Sequence, residues 1–265
     1  TCSLRGFSVM ANLQVKRGDI GSGQIFINCT IEGFARTCFL DTGSNTSFVT
    51  LDRNTKLFEK VGEAKKSGVS GSKVQGDKVR VRSFKIGNHD IGTVELGRFE
   101  KVHHDLIGID LLGKSNLAID MIQKTLVISS KSTRFPYEFQ RLPQGHLSLP
   151  LEFEQQKNLR IIFDTGAGLN SVDQAYVDKY PQYFEFVQEI DSGYDINNDP
   201  VVMNLYTVKC LKIGNFRLLN QTFLSFDFGD LRTYFDHSAP FILGFNGIDN
   251  HFWEFDLINK RFDVK

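Results

Sequence analysis

The chain repeats itself. Asp41-Thr42-Gly43, inside "CFLDTGSNTSFV", returns as Asp164-Thr165-Gly166, inside "IIFDTGAGLNSV", at an offset of 123. Upstream, "GQIFINCTI" from Gly23 aligns with "GHLSLPLEF" from Gly145, at an offset of 122. Downstream, Lys85-Ile86-Gly87-Asn88 returns as Lys212-Ile213-Gly214-Asn215, and Leu106-Ile107-Gly108 as Ile242-Leu243-Gly244. Twelve residues past those last glycines stand Asp120 and Asp256, and four past these stand Lys124 and Lys260. Landmarks in one order, with an offset that drifts by small insertions, mark a duplication. The chain is therefore expected to fold as two homologous halves, 23–128 and 145–265. Residues 129–144, with two prolines and mixed charge, connect them. Residues 1–22 fall outside the repeat as an N-terminal extension.

Within each half the pattern is mostly strand. "QIFINCTI", "TCFLD", "VRVRSFKIG", "TVELG", "LAIDM" and "TLVIS" are short, rich in β-branched and aromatic residues, and separated by turn residues. Helices are expected at 51–61 and 171–180, after each Asp-Thr-Gly, with shorter ones at "DLLGK" and "NGIDN". The fold class read from this is all-β with few short helices.

Composition removes several function classes. Lys+Arg and Asp+Glu balance at 31 each, so no net charge points to nucleic acid or to an acidic membrane surface. No apolar run reaches the length of a membrane span. The four cysteines (Cys2, Cys29, Cys38 and Cys210) form no CxxC pair, and the six histidines show no metal-ligand spacing. Neither a metal site nor a cofactor is expected. His103-His104 read as a solvated turn. Cys29 and Cys38 flank the turn "EGF"; a hairpin disulfide and two small buried thiols both fit them.

Each Asp-Thr-Gly sits where an apolar strand runs out, giving its carboxylate a buried floor and an open roof. Two such turns related by a twofold axis would bring Asp41 and Asp164 together. Like charges a few Å apart do not both ionise cheaply, so the pair would share one proton. The ionised member can then take a proton from water while the neutral one donates to a carbonyl oxygen, which is general acid–base hydrolysis of an amide. Thr42 and Thr165 can bond across the interface. Gly43 and Gly166 let the backbones approach and donate N–H groups to the carboxylates. Ser44 has a hydroxyl able to reach Asp41, and Ala167 has none. One Asp-Thr-Gly alone is a weak signal, since roughly one chain in twenty of this length carries it by chance. Two in register within a repeat are a strong one.

At these residues the sequence resembles the aspartic proteases of the pepsin and retropepsin type, from Gly23 onward. "FLDTGS" and "IFDTGA" resemble the catalytic loops, and "DLIGIDLL" and "PFILGFN" resemble the segments that cross behind them in a ψ-shaped motif. The resemblance implies closed β-barrel lobes related by a pseudo-twofold axis, a cleft between them, an extended polypeptide substrate, and a monomer sufficient for activity. The lobes are short. The first flap region, "SGVSGSKVQGDKVRV" (67–81), lacks the tyrosine usual in pepsin-like enzymes, and Tyr194 lies in the second-half hairpin instead. This is similar to bacterial single-chain (tandem) retropepsin-like proteases. Val69, Ser70, Gly71, Ser72, Gly193 and Tyr194 are the expected flap residues, and Gly68, Gly71 and Gly76 are expected to make the first hairpin mobile.

The balanced charge leads us to expect a mildly acidic to neutral pH optimum. A glycan on the sequon at Asn45 would crowd the cleft, which favours a bacterial or cytosolic origin. The start at Thr1 rather than Met points to an upstream segment removed, and leaves a cell-envelope, periplasmic or secreted location open beside a cytoplasmic one. The basic N-terminal segment fits a pro-region over the cleft, an added edge strand, or a simple extension of the fold. Against the enzyme stands one alternative, a catalytically silent peptide-binding protein of the same shape.

Overall fold

The computed structural model describes residues 8–67, 73–87, 89–194 and 200–265. The first half contributes β1 (Ser8–Arg17), β2 (Gly23–Ile31), β3 (Phe34–Asp41), β4 (Phe48–Thr50), β5 (Glu59–Ser67) and β6 (Lys73–Val81). It continues with β7 (Phe84–Ile86), β8 (His89–Asp90), β9 (Val94–Phe99), β10 (Asp105–Gly108), β11 (Asn116–Asp120) and β12 (Thr125–Ser129). Two short strands, β13 (Tyr137–Glu138) and β14 (Gln140–Arg141), lie in the connection. The second half holds β15 (Leu147–Phe153), β16 (Gln156–Phe163), β17 (Asn170–Asp173), β18 (Glu185–Tyr194) and β19 (Pro200–Ile213). It closes with β20 (Phe216–Phe226), β21 (Phe241–Leu243), β22 (Phe252–Asp256) and β23 (Arg261–Val264). The helices are short: α1 (Ile109–Leu112), α2 (Gln174–Lys179), α3 (Leu231–Tyr234) and α4 (Phe245–Ile248). Among the described residues no helix is long and apolar enough to cross a membrane.

The two lobes are built alike. In the second, strands run β15-β16-β21-β17-β20-β19, and β19 returns to pair with β15, closing a barrel. In the first, the order β2-β3-β10-β4-β9-β6 closes when β7, the continuation of β6, pairs with β2. The long strand is continuous in the second lobe but interrupted at Arg82-Ser83 in the first, where the Glu32 carboxylate accepts both backbone N–H groups.

The repeated landmarks have local reasons. Gly87 and Gly214 both take positive φ, 58° and 60°, in the turns of the Lys-Ile-Gly-Asn copies. Asp120 accepts the backbone N–H groups of Ile122 and Gln123, and Asp256 those of Ile258 and Asn259. Each aspartate thus caps the tight turn that Lys124 and Lys260 complete in the left-handed conformation.

Three expectations are corrected or narrowed. Residues 51–61 hold only a 3₁₀ turn, Thr55–Leu57, before β5 begins; Asp52 accepts the Asn54 and Thr55 N–H groups and ends the turn early. Of the readings open for the N-terminal extension, its described part extends the fold, taking a place inside the sheet rather than at an edge. β1 is flanked on both sides, pairing with β12 along its first half and with β2 along its second. His103 is exposed in a bend, as expected, but the half-buried His104 ring beside it packs against Phe26 and Phe39. Cys29 and Cys38 are joined in a disulfide that ties β2 to β3.

The closing strands do not stay within their own barrel. β22 pairs with β11, placing Leu117 opposite Phe255 and Ile119 opposite Trp253, so a sheet spans the two halves. One hydrophobic core runs through both halves. Two smaller clusters stand apart from it, and they are related by the repeat. One holds Phe48, Phe99 and Leu106 with Phe39 beside them; the other holds Ile162, Ile242, Phe228 and Phe235. The period of two along each strand makes this split. Cys38 and Leu40 face the main core while Phe39 faces the satellite, and Ile161 and Phe163 do the same around Ile162.

Candidate active site

β3 ends on Asp41, and β10 runs parallel to it with Gly108 opposite Asp41. β16 ends on Phe163, and β21 runs parallel to it with Leu243 opposite Phe163, whose carbonyl side the Asp164 N–H closes by bonding to Leu243 O at 3.0 Å. Each loop then turns the same way. Ser44 N donates to Asp41 O at 3.2 Å and Ala167 N to Asp164 O at 3.3 Å. The carbonyls of Ser44 and Ala167 each accept a backbone N–H, from Ile109 and Phe245, both at 2.8 Å. A glycine is required at the crossing strands. A Cβ on Gly108 would stand 2.5 Å from Ser44 O, and one on Gly244 2.3 Å from Leu169 O.

The two loops meet through the threonines. Thr42 N donates to Thr165 Oγ1 and Thr165 N to Thr42 Oγ1, both at 3.0 Å. Each hydroxyl in turn donates across the interface, Thr42 to Phe163 O at 3.1 Å and Thr165 to Leu40 O at 2.8 Å. Both side chains are fully buried, so all four bonds lie away from water. Each contributes about 1 kcal/mol net, and losing one would orphan a buried group at greater cost.

That junction sets the aspartates side by side. Gly43 N donates to Asp41 Oδ1 at 2.9 Å, and Gly166 N to Asp164 Oδ1 at 2.8 Å. A Cβ on Gly43 would lie 2.4 Å from the Asp164 carboxyl carbon, and one on Gly166 would lie 2.2 Å from Asp41 Oδ1. Each glycine therefore makes room for the opposite carboxylate. Burial, the charge of Asp164 and a hydrogen bond with Asp164 together push the Asp41 carboxyl well above the usual carboxylate range. The Gly43 N–H and the charge of Lys66 pull the other way. Two half-buried carboxyls set side by side hold one proton between them at a pH where free carboxylates have none.

No protein-family model matches the sequence, and no curated protein matches it. Among solved structures the chain is similar to the crystal structure of aspartic proteinase from Irpex lacteus, with a TM-score of 0.60 and 13% identity. The match covers 98% of this chain and 97% of that one. The fold is that of the pepsin-like aspartic proteinases.

Within this pepsin-like fold the remaining sequence-named residues fall unevenly. Ser44 turns its hydroxyl away from Asp41 and donates it to Thr46 O at 3.0 Å, so it supports the loop through its backbone. Val69, Ser70, Gly71 and Ser72, with Gly68, lie outside the described residues, between β5 and β6. Gly193 and Tyr194 end β18, in the antiparallel hairpin with β19. Gly76 is no hinge. It is paired within β6, and a Cβ there would meet Arg98 O at 2.3 Å and the Phe99 ring at 2.5 Å.

Four positions behind the loops escaped the sequence reading. Ser47 Oγ accepts the Gly108 N–H, and Asp110 accepts both the Ser47 N–H and its hydroxyl. In the second lobe Asn170 Oδ1 accepts the Gly244 N–H, and Asn246 Oδ1 accepts the Asn170 N–H. The signal was present but disguised: each pair sits six residues past its aspartate and two past its glycine, with different side chains making the same bonds.

Two basic side chains also flank the carboxyls. Lys66 on β5 is half-buried, its ammonium 4.1 Å from the centre of the Phe48 ring. Burial lowers its pKa, and the charge of Asp41 opposes that. His146 packs edge-on against Phe235, and its Nδ1 is buried with no hydrogen-bond partner among the described residues. Burial lowers its pKa too, against the Asp164 charge and the Gly43 carbonyl. Each satellite apolar cluster therefore carries one basic group on the side facing the aspartates.

Proposed function

We propose that the protein is an aspartic endopeptidase that hydrolyses peptide bonds of extended polypeptides, with Asp41 and Asp164 as its catalytic residues. The observation that carries this is the placement of the two carboxyls side by side across the threonine junction, each held by the N–H of its own loop glycine. In this reading the ionised member of the pair takes a proton from a water molecule as its oxygen attacks the scissile carbonyl carbon. The protonated member donates to the carbonyl oxygen, giving a tetrahedral diol. Collapse of the diol returns a proton to the pair, another protonates the leaving nitrogen, and the C–N bond breaks. The N–H groups of Gly43 and Gly166 each hold one carboxylate by its Oδ1.

An extended peptide would lie across the cleft and pair with hairpin backbone, as a strand added to a sheet edge. The β5–β6 and β18–β19 hairpins supply that backbone from the two lobes, and Val69, Ser70, Gly71, Ser72, Gly193 and Tyr194 are proposed to close over it. A flap-type hairpin in each lobe is what supports the bacterial tandem retropepsin-like assignment within the pepsin-like fold. Both aspartates lie on one chain, so a monomer suffices. The disulfide supports work in an oxidising place, the bacterial envelope or outside the cell.

The test is cleavage of a denatured protein across a pH range by wild type, Asp41→Ala and Asp164→Ala. Wild-type cleavage peaking between mildly acidic and neutral pH is expected, with a loss of about a thousandfold or more in each variant. Equal residual cleavage in all three would assign it to a contaminant. Binding of peptides without cleavage would make the protein the silent peptide-binding alternative.

A further inference from the structure

Lys66 stands on the wrong face of its strand for an ordinary surface lysine. Along β5, Glu63, Lys65 and Ser67 are exposed while Ala64 and Lys66 turn inward. Ala64, with Val74 of β6, packs on the Phe48–Phe99–Leu106 cluster. Lys66 comes next on that face and lays its ammonium over the Phe48 ring, where a T-shaped contact with Phe99 fixes the ring. Phe48 is only 3% exposed, so the lysine caps an apolar cluster. A cation on an aromatic face gains a fraction of what it loses on leaving water, and a half-buried ammonium is better satisfied by an anion.

Among the described residues no anion is paired with it. The one carboxylate acting on Lys66 is Asp41, through space, with no hydrogen bond between them. The other charged groups around the cluster are mostly basic. Phe39, on its far side, packs against His104, beside which stand Lys16 and His103. The acidic group there, Asp105, is already held by Arg36 in a two-pronged bond of 2.6 and 2.9 Å. On the side toward Asp41, then, a buried aromatic cluster is capped by an unspent positive charge. The repeat-related cluster of the second lobe has the neutral Ala167 and the His146 ring in the corresponding surroundings.

We infer that Lys66 is a specificity-determining residue, its ammonium being the counter-charge for an acidic side chain of the peptide substrate seated against Phe48 beside Asp41. The inference rests on the endopeptidase reading and names the substrate class that reading leaves open. A glutamate suits this place in both parts: its methylenes would lie against the capped cluster and its carboxylate would reach the ammonium. A glutamine of the same shape leaves the charge unpaired.

The experiment compares peptides that differ only in Glu, Gln, Leu or Lys at each position around the cleaved bond, offered to wild type, Lys66→Arg, Lys66→Met and Lys66→Glu. The readout is the ratio of kcat/KM for Glu over Gln at each position, which is internal to each protein, so a general loss of activity cancels. Wild type and Lys66→Arg should prefer Glu at one position by about tenfold or more. Lys66→Met should lose that preference, and Lys66→Glu should turn it toward Lys. A wild-type ratio near one at every position, or an unchanged ratio in Lys66→Met, overturns the inference while dyad-dependent cleavage leaves the peptidase reading standing. If no peptide is cut, binding titrations of the same Glu and Gln pairs decide. Tighter Glu binding by wild type but not by Lys66→Met upholds Lys66 and sinks the peptidase; equal binding sinks Lys66.

Discussion

A proton on Asp41 couples the chemistry of the site to the stability of the fold. The folded protein holds that carboxyl protonated well above the usual carboxylate range, chiefly because of burial and then because of Asp164. The unfolded chain gives the proton up at the ordinary value. The folded state therefore binds more protons than the unfolded one between those two pKa values, and its stability falls as pH rises through that window. Asparagine has no proton to lose. Asp41→Asn should match wild type in thermal unfolding at about pH 3, below the ordinary carboxylate pKa, and become progressively the more stable of the two toward neutral pH. A difference that stays flat or reverses with pH would show that Asp41 is not held protonated. The sequence led to a proton shared by the pair, assigned to neither carboxyl, because two Asp-Thr-Gly copies in register fix both the like charges and their loops. Lys66 was not legible there, since "AKKS" does not say which lysine turns inward until β5 has a register. Ser44 misled for a related reason: a hydroxyl in reach of a carboxylate also had the Thr46 carbonyl in reach.

At the scale of elements, one buried cation ties the first catalytic strand to the strand crossing behind it. Arg36 on β3 is 10% exposed at its side chain and reaches Asp105, 5% exposed, at the start of β10. Asp105 also accepts the Thr50 N–H at 2.8 Å, drawing in β4, and Arg36 takes a second carboxylate, Asp52, at 2.7 Å. Asp105→Ala would leave a buried guanidinium with only the outer carboxylate and the Thr50 hydroxyl, at a cost of about 3 kcal/mol. Urea unfolding monitored by fluorescence of the buried Trp253 should show a matching drop in midpoint, and a change under about 0.5 kcal/mol would mean that Asp52 and Thr50 satisfy Arg36 between them. Strand existence was well marked in the sequence, because alternating apolar residues between turns need no tertiary information. The expected helix over 51–61 failed on such information, since Asp52 and Thr55 close a tight turn and the following segment is claimed by β6. The bonds of Ser47–Asp110 and Asn170–Asn246 stayed hidden because the duplication conserved their geometry and not their chemistry.

The whole molecule is bound together by more than its connecting segment. Residues 131–134 of that segment are exposed, whereas the contacts between the halves are largely buried. β22 of the second half pairs with β11 of the first along Leu117 to Asp120, and Met121 N donates to His251 O at 3.0 Å. The threonine junction adds its four bonds, and Gly23 N donates to Gly168 O at 3.1 Å. Arg17 of β1 meets Asp249 and lies over the Phe245 ring. None of this strand exchange could be read from the repeat, which by symmetry would leave each closing hairpin with its own lobe. Pairing between distant strands depends on how the barrels dock, which no local pattern encodes. Separating the halves would bare Trp253 and Phe255, both fully buried, and leave a strand edge open on each side. A protease site inserted between Ser132 and Thr133 and cut to completion should therefore leave the two fragments together. They are expected to elute from gel filtration in native buffer as one species of the uncut size, parting only in denaturant. Two half-sized peaks in native buffer would mean that the covalent connection, rather than the shared sheet and the threonine junction, holds Asp41 against Asp164.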